Sequence, residues 1–188
     1  MRSTIPLPRI AFPALLLAAL LALLLAAPQA RAASAAEIDH YVDAALEAFR
    51  KIEGADKFLG IAKGVLVFPK VYKAGIGVGG EYGEGALRVG GKTVDYYSTA
   101  AASIGFQLGA QAKTIVVIFT EESVLRKFRE SEGWKVGVDG SVALVDIGVG
   151  KAVDTTNIKD PVIGFVFGQK GLMYNLTLEG SKFTRLKK

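Results

Sequence analysis

The chain has 188 residues, 51% of them hydrophobic, a formal charge of +5 and no cysteine. That much burial capacity excludes a disordered chain. The missing thiols exclude a disulfide scaffold, a cysteine nucleophile and any cysteine-ligated zinc or iron–sulfur site. A pI near 9.4 points to nucleic acid only if the bases belong to the folded domain.

They do not all belong to it. Met1 to Ala36 contains no acid, Arg2 and Arg9 form a basic start, and residues 10–27 are an uncharged run rich in Leu and Ala. Pro28 and Gln29 break the run, and Ala30-Arg31-Ala32 places small residues two apart. This is the layout of a secretory signal peptide over residues 1–32, cut after Ala32, with Ala33-Ser34-Ala35 as a second site. The alternative is an uncleaved inner-membrane anchor through residues 10–27. No cysteine follows the run, so an acylated lipoprotein is excluded. Residues 1–32 hold three bases and no acid, so the +5 falls to +2 in residues 33–188. The electrostatic argument for nucleic acid mostly disappears, and no nucleic-acid partner is expected. The expectation is an exported, periplasmic and membrane-associated protein.

Ala36 to Ile52 reads as an amphipathic helix, with Ile38, Tyr41, Val42, Ala45, Leu46, Phe49 and Ile52 on one face. Acids lead and bases trail on the other face, which suits the helix dipole. Gly54 is expected to end it, and Ala55–Ala62 to add a short helical piece. From Gly64 the period changes. Val65–Phe68 is a strand stopped by Pro69, and Lys70 and Lys73 bracket a turn around Tyr72. The glycines from Gly75 to Gly85 predict a strand pair turning near Gly80–Gly83. Gly90-Gly91 predicts a two-residue hairpin into Thr93–Tyr97. Strands are expected at 103–111 and 114–119, then a helix over Glu121–Glu132 capped by Thr120 and stopped by Gly133. Further strands are expected at 135–138, 142–149, 162–167 and 172–178, with turns at Asp139-Gly140 and Glu179-Gly180. The order gives an α+β domain over residues 33–188. Its mainly antiparallel sheet is curled toward a barrel or sandwich, with an N-terminal amphipathic helix and one inserted helix.

Chemistry-bearing motifs are few. Gly75-x-Gly77-x-x-Gly80 has the dinucleotide spacing, but Glu81 to Gly85 is a poor helix start and puts acids where a pyrophosphate would sit. Ala86 to Thr93 resembles a relaxed phosphate loop, again with strand-like residues following. Glycine at alternate positions instead leaves a strand face bare, so that another backbone or helix can lie close. His40 is the only histidine, which argues against zinc or a serine triad. Glu81, Glu84, Asp139, Asp146 and Asp160 read as turn or surface acids. No catalytic residue, metal or cofactor is expected, and the protein reads as a non-enzyme.

The stretch Ala62-Lys63-Gly64-Val65-Leu66-Val67-Phe68-Pro69, followed by Lys73 to Gly80, resembles the SYLF lipid-binding domain family. Ile104 to Gln111, Thr114 to Phe119, Ser141-Val142-Ala143, Lys170-Gly171-Leu172 and Leu178-Glu179-Gly180 continue the resemblance in order, from about Ile38 to Phe183. Many relatives carry a Trp-Ser-x-Pro turn where this chain has Tyr97-Ser98-Thr99-Ala100. The resemblance implies a module binding phospholipid, of the phosphatidylinositol headgroup type. Some eukaryotic relatives associate with actin, which has no evident place with an exported chain. The expected lipid contacts are Lys70, Tyr72 and Lys73 at the turn, Ile38, Tyr41 and Phe49 on the first helix, and Arg126 and Lys127 on the inserted helix. That first helix is acidic rather than Lys-rich on its polar face, so it is also expected to be able to cover the sheet. The alternative function is a structural or protein-interaction role with an envelope protein partner and no lipid ligand.

Overall fold

The computed structural model describes residues 32–146, 160–171, 178 and 180–188. The leader, the far end of the 142–149 strand and most of the 172–178 strand lie outside them. Among these residues, three helices and six strands follow in order. They are α1 (Ala35–Arg50), α2 (Ala55–Ile61), β1 (Gly64–Val89), β2 (Lys92–Phe119), α3 (Glu122–Glu130), β3 (Gly133–Lys135), β4 (Ala143–Asp146), β5 (Val162–Gly171) and β6 (Lys182–Leu186). The class is α+β with a mainly antiparallel, strongly curled sheet, as the sequence predicts. Among the described strands, only β4 and β5 run parallel.

α1 starts one residue before its expected position because Ser34 accepts a hydrogen bond from the Glu37 amide at 3.2 Å. Ser34-Ala35-Ala36-Glu37 is the spacing of a capping box. Its buried residues, Ile38, Val42, Ala45, Leu46 and Phe49, fall on one helical face. They pack on Val65, Val67, Val116, Ile118, Ile163, Phe165 and Phe167 of the sheet. α1 ends at Lys51, not at Gly54. Gly54, with φ +86°, sits at the entrance to α2, where the left-handed backbone turns the chain. α3 is capped by Glu121 and closes on Ser131, so neither Thr120 nor Gly133 has its expected role. Thr120 instead donates to the Pro161 carbonyl at 3.2 Å.

The largest departure concerns the glycine-rich half. β1 is one strand of 26 residues and β2 one of 28. They pair antiparallel from Gly64↔Phe119 to Val89↔Lys92, closed by Gly90 and Gly91 at φ +57° and +79°. That hairpin is the one expected. Pro69 does not stop the strand. It lies where the register shifts between Phe68 and Val71, and its carbonyl accepts from Thr114 Oγ1 at 3.0 Å. No turn occurs at Gly80–Gly83. The ribbon instead folds over at a second shift, between Ile76 and Val78.

Glycine makes the fold-over possible. A Cβ on Gly83 would lie 2.7 Å from the Lys70 carbonyl oxygen, and one on Gly85 would overlap the Val67 carbonyl. At the corner, a Cβ on Gly75 would overlap the Gly79 Cα. Backbone therefore lies against backbone, the use expected for alternate glycines. The second half of β2 then pairs with β5, and the first half with β6, which pairs with β3. Between these parts sits a second core of Leu66, Phe68, Leu87, Tyr97, Ile115, Val117, Phe119, Phe128, Trp134 and Phe183.

Candidate functional site

The corner at residues 76–78 organises the polar and apolar residues that stand out. Its inner side is charged. Glu81, Lys113, Lys73 and Gln111 are 7%, 2%, 4% and 3% exposed. Glu81 Oε2 lies 2.9 Å from Lys113 Nζ, joining the two halves of the ribbon. Among the described residues, Glu81 Oε1, Gln111 Oε1 and Thr99 Oγ1 have no hydrogen-bond partner. Glu81 is thus a buried ion-pair acid rather than the surface acid expected from its glycine-rich setting. Charges this deep need each other, because either one alone carries an uncompensated desolvation cost.

The outer side is apolar at the corner and amphipathic on both flanks. Tyr72, Val78 and Tyr82 are 59%, 69% and 51% exposed. Ala74, Gly80, Ala102 and Ala110 are exposed between them. Tyr82 donates from its hydroxyl to Glu84 Oε1 at 2.9 Å. Burial, the bond to Glu84 and the charge of Glu84 push its pKa up to about 12. Glu84 is in turn held 2.9 Å from Lys188 Nζ.

The expected lipid contacts divide between surface and core. Lys70 and Tyr72 are exposed, and Lys70 Nζ stands 3.2 Å above the Tyr41 ring. Lys73 points inward. Ile38 and Phe49 are 2% and 0% exposed beneath α1, with Phe49 stacked 5.7 Å from Phe167. Arg126 and Lys127 are exposed on α3, whose Leu125 packs beside Gly64 and Leu87, at the end of the ribbon remote from the corner. Lys70 and Tyr41 are therefore brought together, Tyr72 lies two residues along β1 from Lys70, and the rest are apart from them. Sequence reasoning missed Val78 and Tyr82, because it placed them beside a turn. The signal it lacked was the uninterrupted ribbon, since a long two-stranded pairing alternates Tyr82 outward and Glu81 inward.

α1 is fastened along its acidic side. Asp39 accepts from Thr93 Oγ1 at 2.6 Å and from the Tyr96 hydroxyl at 2.8 Å. Arg88 reaches Asp43 Oδ1 at 2.7 Å and Asp39 Oδ1 at 3.4 Å. The acids that made this helix a poor partner for anionic membrane are thus its links to the sheet. A groove of about 460 Å³ runs between α1, α2 and the Gly90-Gly91 turn, with Asp43, Glu47, Arg50, Lys63 and Arg88 among its walls. It contains none of the expected lipid contacts, and its charges are mixed.

Residues 100–188 match the family model described as Ysc84: Las17-binding protein actin regulator. The resemblance to the SYLF-domain family holds over that stretch. The match begins at Ala100, within β2, and takes in β3 to β6 and α3. No curated protein matches the chain. The match points to a binding module of the SYLF kind, in a family whose description names Las17 binding and actin regulation.

Proposed function

We propose that residues 33–188 are a non-enzymatic lipid-binding module of the cell envelope, exported by the leader 1–32 and engaging phospholipid headgroups through its folded surface. The observation that carries this reading is that Lys70 and Tyr72, two residues apart on β1 and next to the apolar corner, are both exposed. A phenol ring suits the boundary between headgroup and acyl chain, and an ammonium suits the phosphate. The SYLF match supports it independently. α1 contributes as a cover for the sheet, because its apolar face is already used. Cleavage after Ala32 agrees with this arrangement, since Ser34 caps α1 and the Ala33 carbonyl accepts from Lys188 Nζ at 2.7 Å. Cutting after Ala35 would remove both contacts.

Co-sedimentation of the mature protein tests the reading, using vesicles of phosphatidylglycerol, of phosphatidylinositol phosphate and of phosphatidylcholine. Binding to the anionic vesicles that weakens with salt is the expected result. A well-folded protein that stays in the supernatant with all three would overturn it. A stoichiometric protein captured from envelope extracts without co-purifying lipid would favour the alternative of an envelope interaction protein. Pelleting with actin filaments in place of vesicles would return the actin association named for the family.

A further inference from the structure

The corner carries a more specific arrangement than one lysine beside one tyrosine. Residues directly opposite each other on paired strands share a face. Tyr72 is opposite Ala112, and Ala112 is opposite Lys170. Across the fold, Tyr82 is opposite Ala100, Ala100 is opposite Lys182, and Lys182 is opposite Lys135. Both flanks of the folded ribbon therefore repeat one order outward from β1: tyrosine, alanine, lysine. Lys170, Lys182 and Lys135 are exposed. Of the acids on this side, Glu84 is matched by Lys188, and Asp139 accepts from the Lys135 amide at 2.6 Å.

Between the flanks, charge is missing altogether. No charged residue occurs between Lys73 and Glu81 in β1, or between Asp95 and Lys113 in β2. At the corner itself, residues 74–80 of β1 are glycine, alanine, Ile76 and Val78, and Val78 is exposed. The halves are joined below it by the Glu81–Lys113 ion pair. An uncharged apex with aromatic shoulders and a basic surround is complementary to one surface in particular: an anionic bilayer, whose interior excludes charge, whose boundary accepts phenols and whose headgroups attract ammonium groups.

We infer that the corner of the β1–β2 ribbon is a membrane-inserting wedge. The backbone around Val78 enters the acyl boundary, Tyr72 and Tyr82 lie at its two shoulders, and Lys70, Lys170, Lys182 and Lys135 meet headgroup phosphates on both sides. This rests on the lipid-binding reading and adds the element that enters and its second flank.

The test uses the mature protein and phosphatidylglycerol vesicles. Val78→Trp, in a Trp134→Phe background, places a lone indole at the apex. On binding, its emission should shift to the blue and be quenched by lipids brominated along the acyl chain. Val78→Glu should weaken vesicle binding by about tenfold or more. Lys170→Ala and Lys182→Ala should each weaken binding to anionic vesicles by about fivefold and leave phosphatidylcholine binding unaltered. Circular dichroism and melting temperature check that each variant is folded. Vesicle binding by the parent protein with an unshifted, unquenched indole, or with full binding by Val78→Glu, overturns the wedge and leaves the lipid-binding reading standing. Absence of parent binding to any vesicle overturns both.

Discussion

α1 and the corner of the ribbon are both amphipathic, and they end in opposite states. The helix buries most of its apolar face, with Val42 and Phe49 at 0% exposure, and commits Asp39 and Asp43 to Arg88, Thr93 and Tyr96. The corner hides its charges, Lys73, Glu81 and Lys113, and leaves Tyr72, Val78 and Tyr82 in solvent. An apolar face with a partner stabilises a domain, whereas one left without a partner is available for binding. The helix is thus the structural half of the pair, and the corner is the half left open for the proposed membrane contact.

Substitutions can break that contrast. Phe49→Ala should cost about 3–5 kcal/mol in chemical denaturation, since a fully buried ring is lost from between α1 and the sheet. Val78→Ala should leave the denaturation midpoint almost unchanged. If both cost the same, the division between core and binding surface is wrong. Glu81→Ala strands the Lys113 ammonium inside the fold and should also cost about 3–5 kcal/mol. Replacing both partners by apolar residues of similar size should recover much of that loss, which a double-mutant cycle would read directly.

Glycine gives a finer comparison. Gly85→Ala places a methyl group on the Val67 carbonyl and should destabilise by about 1–3 kcal/mol. Gly80→Ala meets nothing within 4 Å and should be neutral or slightly stabilising. Equal effects at the two sites would show that the halves of β1 do not lie against each other. The smallest effect is alkaline. Burial and Glu84 raise the Tyr82 pKa to about 12, from about 10 in the unfolded chain. The neutral phenol therefore contributes stability that is full below pH 10 and is lost as pH rises from 10 to 12. Absorbance near 295 nm should show a late-titrating tyrosine that disappears in Tyr82→Phe.

The legible parts of the fold were those governed by local rules. The α1 periodicity, the Gly90-Gly91 turn and the α3 charge order each depend on residues close in sequence. Residues 75–85 were misread because glycine signals turns and close approach alike, and only the long-range meeting of Gly83 and Gly85 with residues 67–71 separates the two meanings. Pro69 misled for a similar reason, since a register shift absorbs its missing amide. The candidate site was half legible. Lys70 and Tyr72 stand out as a basic–aromatic pair, but Lys170 and Lys182 join them only through strand order, which no local pattern encodes. Ile38 and Phe49 looked equally suited to lipid or core, and the sheet beneath α1 decided between them.

The Lys188 side chain, which reaches both the Ala33 carbonyl and Glu84, brings the two ends of the folded unit together. In spatial terms the folded unit nearly closes on itself. A short linker from Lys188 to Ala33 would close it at little entropic cost, and the surface turn at Gly90-Gly91 offers a place to reopen it. Such a permutant would carry new ends on the hairpin and leave the corner uncut.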